Sequence, residues 1–98
     1  MQAQGFHFAA FQLDADRHLL TGPDGNIDLR PKSFDVLALL LARAGRLVTK
    51  DEILQAVWPG VVVTDDSLTR CISDVRQALK DHDRTLIRTV AKRGYRID

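Results

Sequence analysis

The chain has 98 residues, of which 45% are hydrophobic and 28% charged, a composition that suits one small globular domain and excludes a disordered polypeptide. Its formal net charge is only +1, its single cysteine cannot form an internal disulfide, and its three histidines show no metal-ligand spacing. No apolar run approaches the roughly 18 residues that span a bilayer, and the N-terminus lacks the layout of a secretion signal, so we expect a cytoplasmic domain.

Residues 6–29 carry the pattern of a small antiparallel meander. Apolar residues alternate over 6–13 in two phases, which predicts one strand with a bulge at Ala9-Ala10. Turn-forming residues separate this strand from a second strand over 18–21 and a third strand over 27–29. Such a sheet has one apolar face, and helices must cover it.

Two helices are predicted after the meander. Pro31 fits the first turn of helix one, whose apolar residues form a stripe. Helix two has the best-marked start in the chain, because Thr49 and Glu52 have the spacing of a capping box. The loop 59–63 that follows is apolar for a short connector, which favours either packing over helix two or a protein-contact surface.

Helix three is predicted over residues 65–80. Its apolar residues recur at helical spacing and form a buried stripe, made of Leu68, Ile72, Val75 and Leu79. The opposite side carries groups that hydrogen-bond or pair with anions, namely Arg70, Ser73 and Gln77, flanked by Thr69, Asp74, Arg76 and Lys80. Taken alone, this side also fits the solvated face of an ordinary core helix.

The remaining residues of helix three have structural interpretations. Asp65 and Asp66 at its start fit a cap and partners of the helix dipole rather than a catalytic pair. Cys71 lies beside the apolar stripe and fits a small core residue. Because no nucleophile and base, paired carboxylates or metal ligands have a suitable spacing, we expect neither enzyme activity nor a cofactor.

A basic hairpin is predicted after helix three. Two β-prone runs, 86–90 and 95–97, are separated by a turn that ends in Gly94 and carries basic residues at its tip. From residue 69 to 98 the chain has eight basic and four acidic residues, a charge of +4, whereas the rest carries −3. This asymmetry indicates a polyanionic partner. A helix for the major groove and a hairpin for the flanking backbone or minor groove would suit DNA.

Several separated motifs occur in a characteristic order. They are Leu29-Arg30-Pro31-Lys32-Ser33-Phe34-Asp35-Val36-Leu37, Gly45-Arg46-Leu47-Val48-Thr49, Ile53-Leu54, Val57-Trp58, Ile72-Ser73-Asp74-Val75-Arg76, Ile87-Arg88-Thr89-Val90 and Arg93-Gly94-Tyr95-Arg96. With these motifs the chain resembles the winged-helix effector domain of the OmpR/PhoB response-regulator family from Phe6 to Ile97. The resemblance implies an α+β fold: a winged helix-turn-helix with an N-terminal antiparallel sheet of about four strands, three helices and a C-terminal β-hairpin wing. We expect one domain over residues 1–98.

The resemblance also implies sequence-specific binding of double-stranded DNA by a bacterial-type transcriptional regulator. Its matched positions imply base contacts from Thr69, Arg70, Ser73 and Asp74. They imply backbone contacts from Trp58, Ser67, Arg76, Thr89 and Tyr95, with Gln77 and Lys80 as solvent or phosphate neighbours. Lys92 and Arg93 are the implied wing residues. Tyr95 fits a core residue under the hairpin equally well.

The chain departs from the family pattern at three places. Arg30 stands where members usually have Ser or Thr before the proline of helix one, so that helix loses its side-chain cap. Ser73 and Asp74 stand where basic residues are common, which reduces the positive charge aimed at DNA. At the wing tip Ala91 replaces a common Arg, and the basic residues follow it.

The resemblance further implies partners beyond DNA. We expect a contact with RNA polymerase through the loop from Pro59 to Val63, pairs of the domain on DNA, and either phosphorelay or one-component signalling. Only five residues precede Phe6, which leaves no room for an N-terminal receiver and favours regulators of the CadC/ToxR kind. In such a protein the sensing domain would follow this segment, and the full-length chain would be membrane-anchored. The alternative function is a winged-helix module for protein or RNA interaction.

Overall fold

The computed structural model describes residues 5–97, and the predicted domain ends at 1–4 and 98 lie outside the described residues. Ten elements follow one another in the chain. They are β1 (Gly5–Phe8), β2 (Phe11–Asp14), β3 (Leu19–Gly22), β4 (Gly25–Ile27), α1 (Pro31–Ala42), β5 (Val48–Thr49), α2 (Lys50–Val57), α3 (Asp65–Ala78), β6 (Ile87–Val90) and β7 (Gly94–Ile97). The predicted α+β winged helix-turn-helix is confirmed.

The N-terminal sheet is an antiparallel meander of four strands in the order β1-β2-β3-β4. The predicted bulge at Ala9-Ala10 is wrong, because these two residues are the turn of a hairpin that Phe8 and Phe11 close as a strand pair. Ala9 has a φ of 49°, a turn conformation that favours glycine or asparagine, and the sequence gives no sign of it. The turn divides the predicted strand in two and supplies the fourth strand.

The other two predicted strands have shifted limits. The second begins at Leu19, because His18 has a φ of 56° and belongs to the preceding turn. The third was placed over 27–29, whereas β4 runs from Gly25 to Ile27, because a tight turn lets Gly25 pair with Gly22 and the last pair is Ile27 with Leu20. Short strands joined by tight turns leave too few residues for the alternation to fix their limits.

The helices match the predicted pattern closely. The Thr49 side chain accepts a hydrogen bond from the Glu52 backbone N at 3.1 Å, which confirms the cap of α2. Helix α1 starts after Arg30 without a side-chain cap, as predicted. Helix α3 ends at Ala78, earlier than predicted, because Lys80 adopts a left-handed conformation with a φ of 56° and the chain leaves the helix there.

A second sheet, in the order β5-β7-β6, contains the predicted hairpin and a two-residue strand that the sequence did not reveal. Strand β5 pairs with β7 through Val48 opposite Tyr95 and Thr49 opposite Gly94. A Cβ on Gly94 would lie 2.0 Å from the Val48 carbonyl oxygen. The absent side chain at Gly94 therefore lets the hairpin approach the start of α2.

The hydrophobic core lies between the four-stranded sheet, the helices and the hairpin. Leu37 and Leu40 of α1 are completely buried in it, and so is Val75 of α3. Cys71 is also buried, as predicted for a small core residue. Because its apolar stripe is fixed in this core, α3 must present its other side to solvent. Among residues 5–97, no helix has the length and apolar character required to cross a membrane.

Candidate nucleic-acid interface

The outward side of α3 is a polar surface that we call the recognition face. Its members are the exposed residues Asp66, Thr69, Arg70, Ser73 and Gln77. These side chains follow each other at helical spacing, opposite the buried stripe. Three of the four predicted base-contact residues, Thr69, Arg70 and Ser73, therefore lie together on one accessible surface.

The start of α3 is organised by its backbone rather than by a side-chain cap. The N-cap residue is Thr64, which makes no capping side-chain hydrogen bond, so the assignment of the cap to an aspartate is wrong. Asp65 and Asp66 lie in the first turn, where negative charge interacts favourably with the helix dipole, as predicted. The Asp65 carboxylate also lies 3.9 Å from the Lys50 ammonium group, which links α3 to the start of α2.

Asp74, the fourth predicted base contact, faces α1 instead of standing free beside the other three. Its Oδ2 accepts a hydrogen bond from Arg30 Nε at 2.7 Å and is also bound by Arg30 Nη2. The Ser33 hydroxyl donates to the same oxygen at 2.9 Å. All three donors bind Oδ2, so they fix Asp74 against α1, and the Arg30 guanidinium offsets the negative charge that would attract a cytosine amino group. The base contact of Asp74 stays a prediction, and the structure gives this residue an intramolecular partner that the sequence did not indicate.

Arg76 ties α3 to the hairpin. Its Nη2 donates to the Ile87 carbonyl at 2.7 Å and to the Thr89 hydroxyl at 2.9 Å. Its Nε is buried and has no hydrogen-bond partner among residues 5–97. This arrangement fixes two of the predicted backbone-contact residues, Arg76 and Thr89, in one cluster at the junction of helix and wing.

The junction forms a groove with a cationic character. Its lining includes two arginines, Arg76 and Arg84, and one aspartate, Asp81, together with Thr69, Ser73, Thr89 and Tyr95. Burial lowers the pKa of Arg76 and neighbouring Arg84 lowers it further, while Asp81 and Tyr95 raise it, and the net direction is downward. An arginine stays protonated at neutral pH all the same. The groove thus offers guanidinium and hydroxyl donors suited to a phosphate, and Arg84 is a lining cation to which the sequence had given no role.

The tip of the wing presents its two predicted basic residues to solvent. Lys92 and Arg93 are exposed, and Lys92 holds a left-handed turn conformation with a φ of 65°. The turn backbone is fixed at both sides, because Arg93 N donates to the Val90 carbonyl at 3.0 Å and Arg93 O accepts from Lys50 N at 3.1 Å. A fixed backbone with free cationic side chains suits contact with a polyanion.

The other predicted backbone-contact residues differ in exposure. Tyr95 is only 6% exposed and belongs to the core, yet it also lines the groove. Ser67 and Trp58 are half-buried, and Trp58 packs against the core at the end of α2. Gln77 is exposed in the last turn of α3, and Lys80 is exposed two residues beyond the end of that helix. The structure brings Gln77 to the recognition face and leaves Trp58 outside the groove between α3 and the wing.

Asp81 organises the connection between α3 and the wing, and sequence reasoning missed it. The residue is only 5% exposed, and its carboxylate accepts from the backbone N of Thr85, Leu86 and Ile87 at 2.9 to 3.1 Å. Burial raises its pKa, but these three donors and the charge of Arg76 outweigh burial and hold the pKa below its ordinary value. An aspartate in a polar loop carries no signal that distinguishes such a role from a solvated turn.

The loop after α2 is exposed as well as apolar. Val62 is fully exposed and Val61 is 60% exposed, so the loop does not simply pack over α2. Val61 N donates to the Trp58 carbonyl at 3.2 Å, which folds the loop into a turn beside a shallow groove along α2. The exposure of these two valines argues against close packing over α2, and the protein-contact surface stays a prediction.

The family model for "Transcriptional regulatory protein, C terminal" matches residues 24–97 of the chain. The chain belongs to this family. The transcriptional regulator HilA of Salmonella typhi is 37% identical over 94 residues, which are 95% of this chain and 17% of HilA. This regulatory domain thus spans about one sixth of the length of that relative.

Solved structures give the same assignment for this regulatory domain. The DNA-binding domain of Escherichia coli CadC is 27% identical, with a TM-score of 0.83, covering 99% of this chain and 92% of that one. The DNA-binding domain of Klebsiella pneumoniae RstA, in complex with the RstA box, is also 27% identical, with a TM-score of 0.82 and 95% coverage of both chains. The domain is therefore of the OmpR/PhoB winged-helix type, as the motifs indicated, and its relatives are regulators rather than enzymes. Within the described part of the chain, no group of three or more His, Cys, Asp or Glu side chains could hold a metal ion.

Proposed function

We propose that this domain binds double-stranded DNA in a sequence-specific manner as part of a transcriptional regulator. The observation that carries the proposal is the exposed recognition face of α3, bordered by a groove that contains Arg76, Arg84 and Thr89. A helix of this kind fits the major groove, whose width of about 12 Å admits one α-helix. The RstA domain, which has the same fold, was solved in complex with the RstA box.

Within this proposal the contacts divide by position. Arg70, Thr69 and Ser73 read base edges, because they lie at the centre of the recognition face. Phosphates are held at the groove by Arg76, Thr89 and Tyr95, and around the recognition face by a second group of contacts. That group comprises Ser67, Gln77, Lys80 and Trp58. Lys92 and Arg93 hold the flanking backbone or the minor groove.

A salt titration tests the proposal. With roughly four to six phosphates neutralised, the logarithm of the affinity should fall with the logarithm of salt at a slope of roughly −3.5 to −5.5. Duplexes selected from a random pool should bind more tightly than scrambled duplexes of the same length and composition. A slope near zero, or no binding to any duplex at low salt, would favour a module for protein or RNA contact instead.

The exposed loop Pro59 to Val63 is the basis for proposing a second partner besides DNA. The loop exposes Val62 fully and Val61 to 60%, so a partner surface that covers it would gain the free energy of burying these side chains. The proposed partner is RNA polymerase, recruited while the domain is on DNA. Val62→Asp should abolish transcriptional activation and leave the affinity for DNA unchanged. Equal loss of both would contradict this assignment.

The whole protein is proposed to be a one-component regulator of the CadC/ToxR kind. HilA and CadC are both much longer than this domain, which covers 17% and 14% of their lengths. The sensing domain follows the winged helix, the domain pairs on DNA, and its DNA ligand places it in the cytoplasm. The gene sequence beyond codon 98 and the stoichiometry of the complex on a selected duplex test these statements.

A further inference from the structure

Arg30 and Asp74 form an unusual link between the start of α1 and the recognition helix. Both Nε and Nη2 of the guanidinium bind one oxygen of the carboxylate, Oδ2, at 2.7 Å in the case of Nε. Ser33, which is 1% exposed, donates to the same oxygen from the core side. Asp74 is thus fixed from within by Ser33 and from outside by Arg30.

The exposure of the two partners differs in a way that bears on function. The Arg30 side chain is 67% exposed, whereas that of Asp74 is 27% exposed. A guanidinium has five N–H donors in a planar fork, so binding one carboxylate oxygen through two nitrogens leaves donors for a further acceptor. The carboxylate orients the guanidinium through Nε and Nη2, and most of the Arg30 side chain stays exposed to solvent.

The position of the fork relative to α3 is defined by Asp74. This residue follows Arg70 by one helical turn and adjoins Ser73, so Arg30 lies at the border of the recognition face. The same border continues as an open groove whose charged lining residues are Arg30 and Lys80 against Asp28 and Asp74. Cations therefore flank α3 on both sides, with Arg76 and Arg84 on the wing side and Arg30 and Lys80 on the α1 side.

The charges on and beside the recognition face explain why a cation at Arg30 would matter. Asp66 and Asp74 put two negative charges on or beside the recognition face, where Arg70 is the only cation among the exposed members of that face. Because DNA phosphates are also negative, these carboxylates would oppose the binding of DNA. An exposed ion pair contributes little to folding, so stability alone gives a weak reason for this link.

We propose that Arg30 is a DNA-contacting residue, held by Asp74 and Ser33 at the α1 side of the recognition face. The proposal rests on the proposed function and adds a contact from outside the helix-turn-helix to it. Arg30 supplies a cation at the place where α3 carries a carboxylate, and Asp74 is a positioning residue for Arg30 rather than a base contact. The ligand group is a phosphate or a guanine edge on the strand that passes the α1 side of α3.

The test compares the 98-residue chain with Arg30→Ala, Arg30→Lys, Asp74→Ala and the Arg30→Ala/Asp74→Ala pair. Each protein is titrated against a duplex selected by the unaltered chain and against a scrambled one, over a range of salt. Arg43→Ala is the matched control, because it breaks another α1 ion pair, with Glu52, at the opposite end of that helix. Thermal melting confirms that each variant is folded.

Arg30→Ala should weaken binding to the selected duplex about tenfold and lower the magnitude of the salt slope by about one. Arg30→Lys should restore the slope but not the full affinity, because an ammonium lacks the fork. Asp74→Ala should relax the base preference while Arg30 is present, and should restore part of the affinity when Arg30 is absent, because a repulsive charge is removed.

The proposal would be overturned if Arg30→Ala kept the affinity, the salt slope and the base preference of the unaltered chain. The ion pair between Arg30 and Asp74 would then be a purely structural link. The proposal would also be overturned if Arg43→Ala lost as much affinity for DNA as Arg30→Ala. Failure of the proposed function has a different signature, because the unaltered chain itself would then bind no duplex.

Discussion

Residue 94 has no room for a side chain. A Cβ there would lie 2.0 Å from the Val48 carbonyl oxygen and 2.9 Å from Thr49 Cα, and both obstacles are backbone atoms that cannot rotate away. Gly94→Ala must therefore push β7 from β5, and we expect a loss of about 1 to 3 kcal/mol in the free energy of unfolding. Gly5→Ala is the matched control, since its Cβ would have its nearest atom at 3.9 Å. Denaturant unfolding of both variants measures the difference, and equal stabilities would contradict the close approach.

Asp81 predicts a dependence of stability on pH. Burial opposes its ionisation, but the donors at Thr85, Leu86 and Ile87 and the charge of Arg76 keep the pKa of the folded state below that of the unfolded chain. Its contribution is therefore complete above about pH 4, the pKa of an unperturbed aspartate, and is lost as the pH falls through the lower folded value.

Asp81→Asn should cost about 1 to 3 kcal/mol at pH 7, because an amide nitrogen must face one of the three backbone donors. The difference in melting temperature between the variant and the unaltered protein should shrink as the pH falls from 5 to 2. A difference that stays constant over this range would show that the charge of Asp81 has no part in stability.

The residues also differ in how well the sequence revealed their roles. Cys71 was recognisable as a core residue because it flanks an apolar stripe, and Thr49 as a cap because Glu52 follows at a fixed spacing. The partners of Asp74 and Asp81 were not recognisable, since Arg30 lies 44 positions from Asp74 and the donors to Asp81 are backbone groups of a loop. A local pattern predicts contacts with near neighbours in sequence and is silent on the rest.

At the scale of elements, the helices were predictable and the strands less so. Helix α3 has 14 residues, about four turns over which the apolar period repeats, whereas β4 has three residues and β5 has two. Two residues cannot display an alternation, so only pairing with β7 reveals β5 as a strand. The fourth strand of the meander was implied by the family resemblance and became visible only as a hairpin.

Helix α3 carries a prediction of its own. Arg70 is exposed on the recognition face, where an arginine fork can make two hydrogen bonds to one guanine. Arg70→Ala should therefore cost about 1 to 3 kcal/mol of binding free energy on the preferred duplex and relax the preference at one base pair. Affinity for a scrambled duplex should change little. Selection of duplexes by both proteins measures the preference, and an unchanged preference would remove Arg70 from base reading.

At the scale of the molecule, the distribution of charge matters more than its total. The net charge of +1 gives no general attraction to DNA, yet residues 69–98 carry +4 and form the wing and most of α3, which meet at the groove between them. The fold fixes the wing beside α3 because Arg76 bonds to β6 and the Arg93 carbonyl accepts from the start of α2. The sequence could indicate the charge imbalance, but only the fold places the recognition face of α3 beside the wing.

This arrangement predicts that substitutions on the recognition face and in the wing change DNA binding in different ways. Lys92 and Arg93 extend from a fixed turn into solvent, so replacing both with Ala should weaken binding to every duplex by a similar factor and lower the magnitude of the salt slope by about two. Thermal melting should hardly change, because neither side chain contributes to the core. Titration of this variant beside Arg70→Ala, each against a selected and a scrambled duplex, separates the two roles. If Arg70→Ala weakened both duplexes equally while the wing variant lost only sequence preference, the assignment of reader and wing would be reversed.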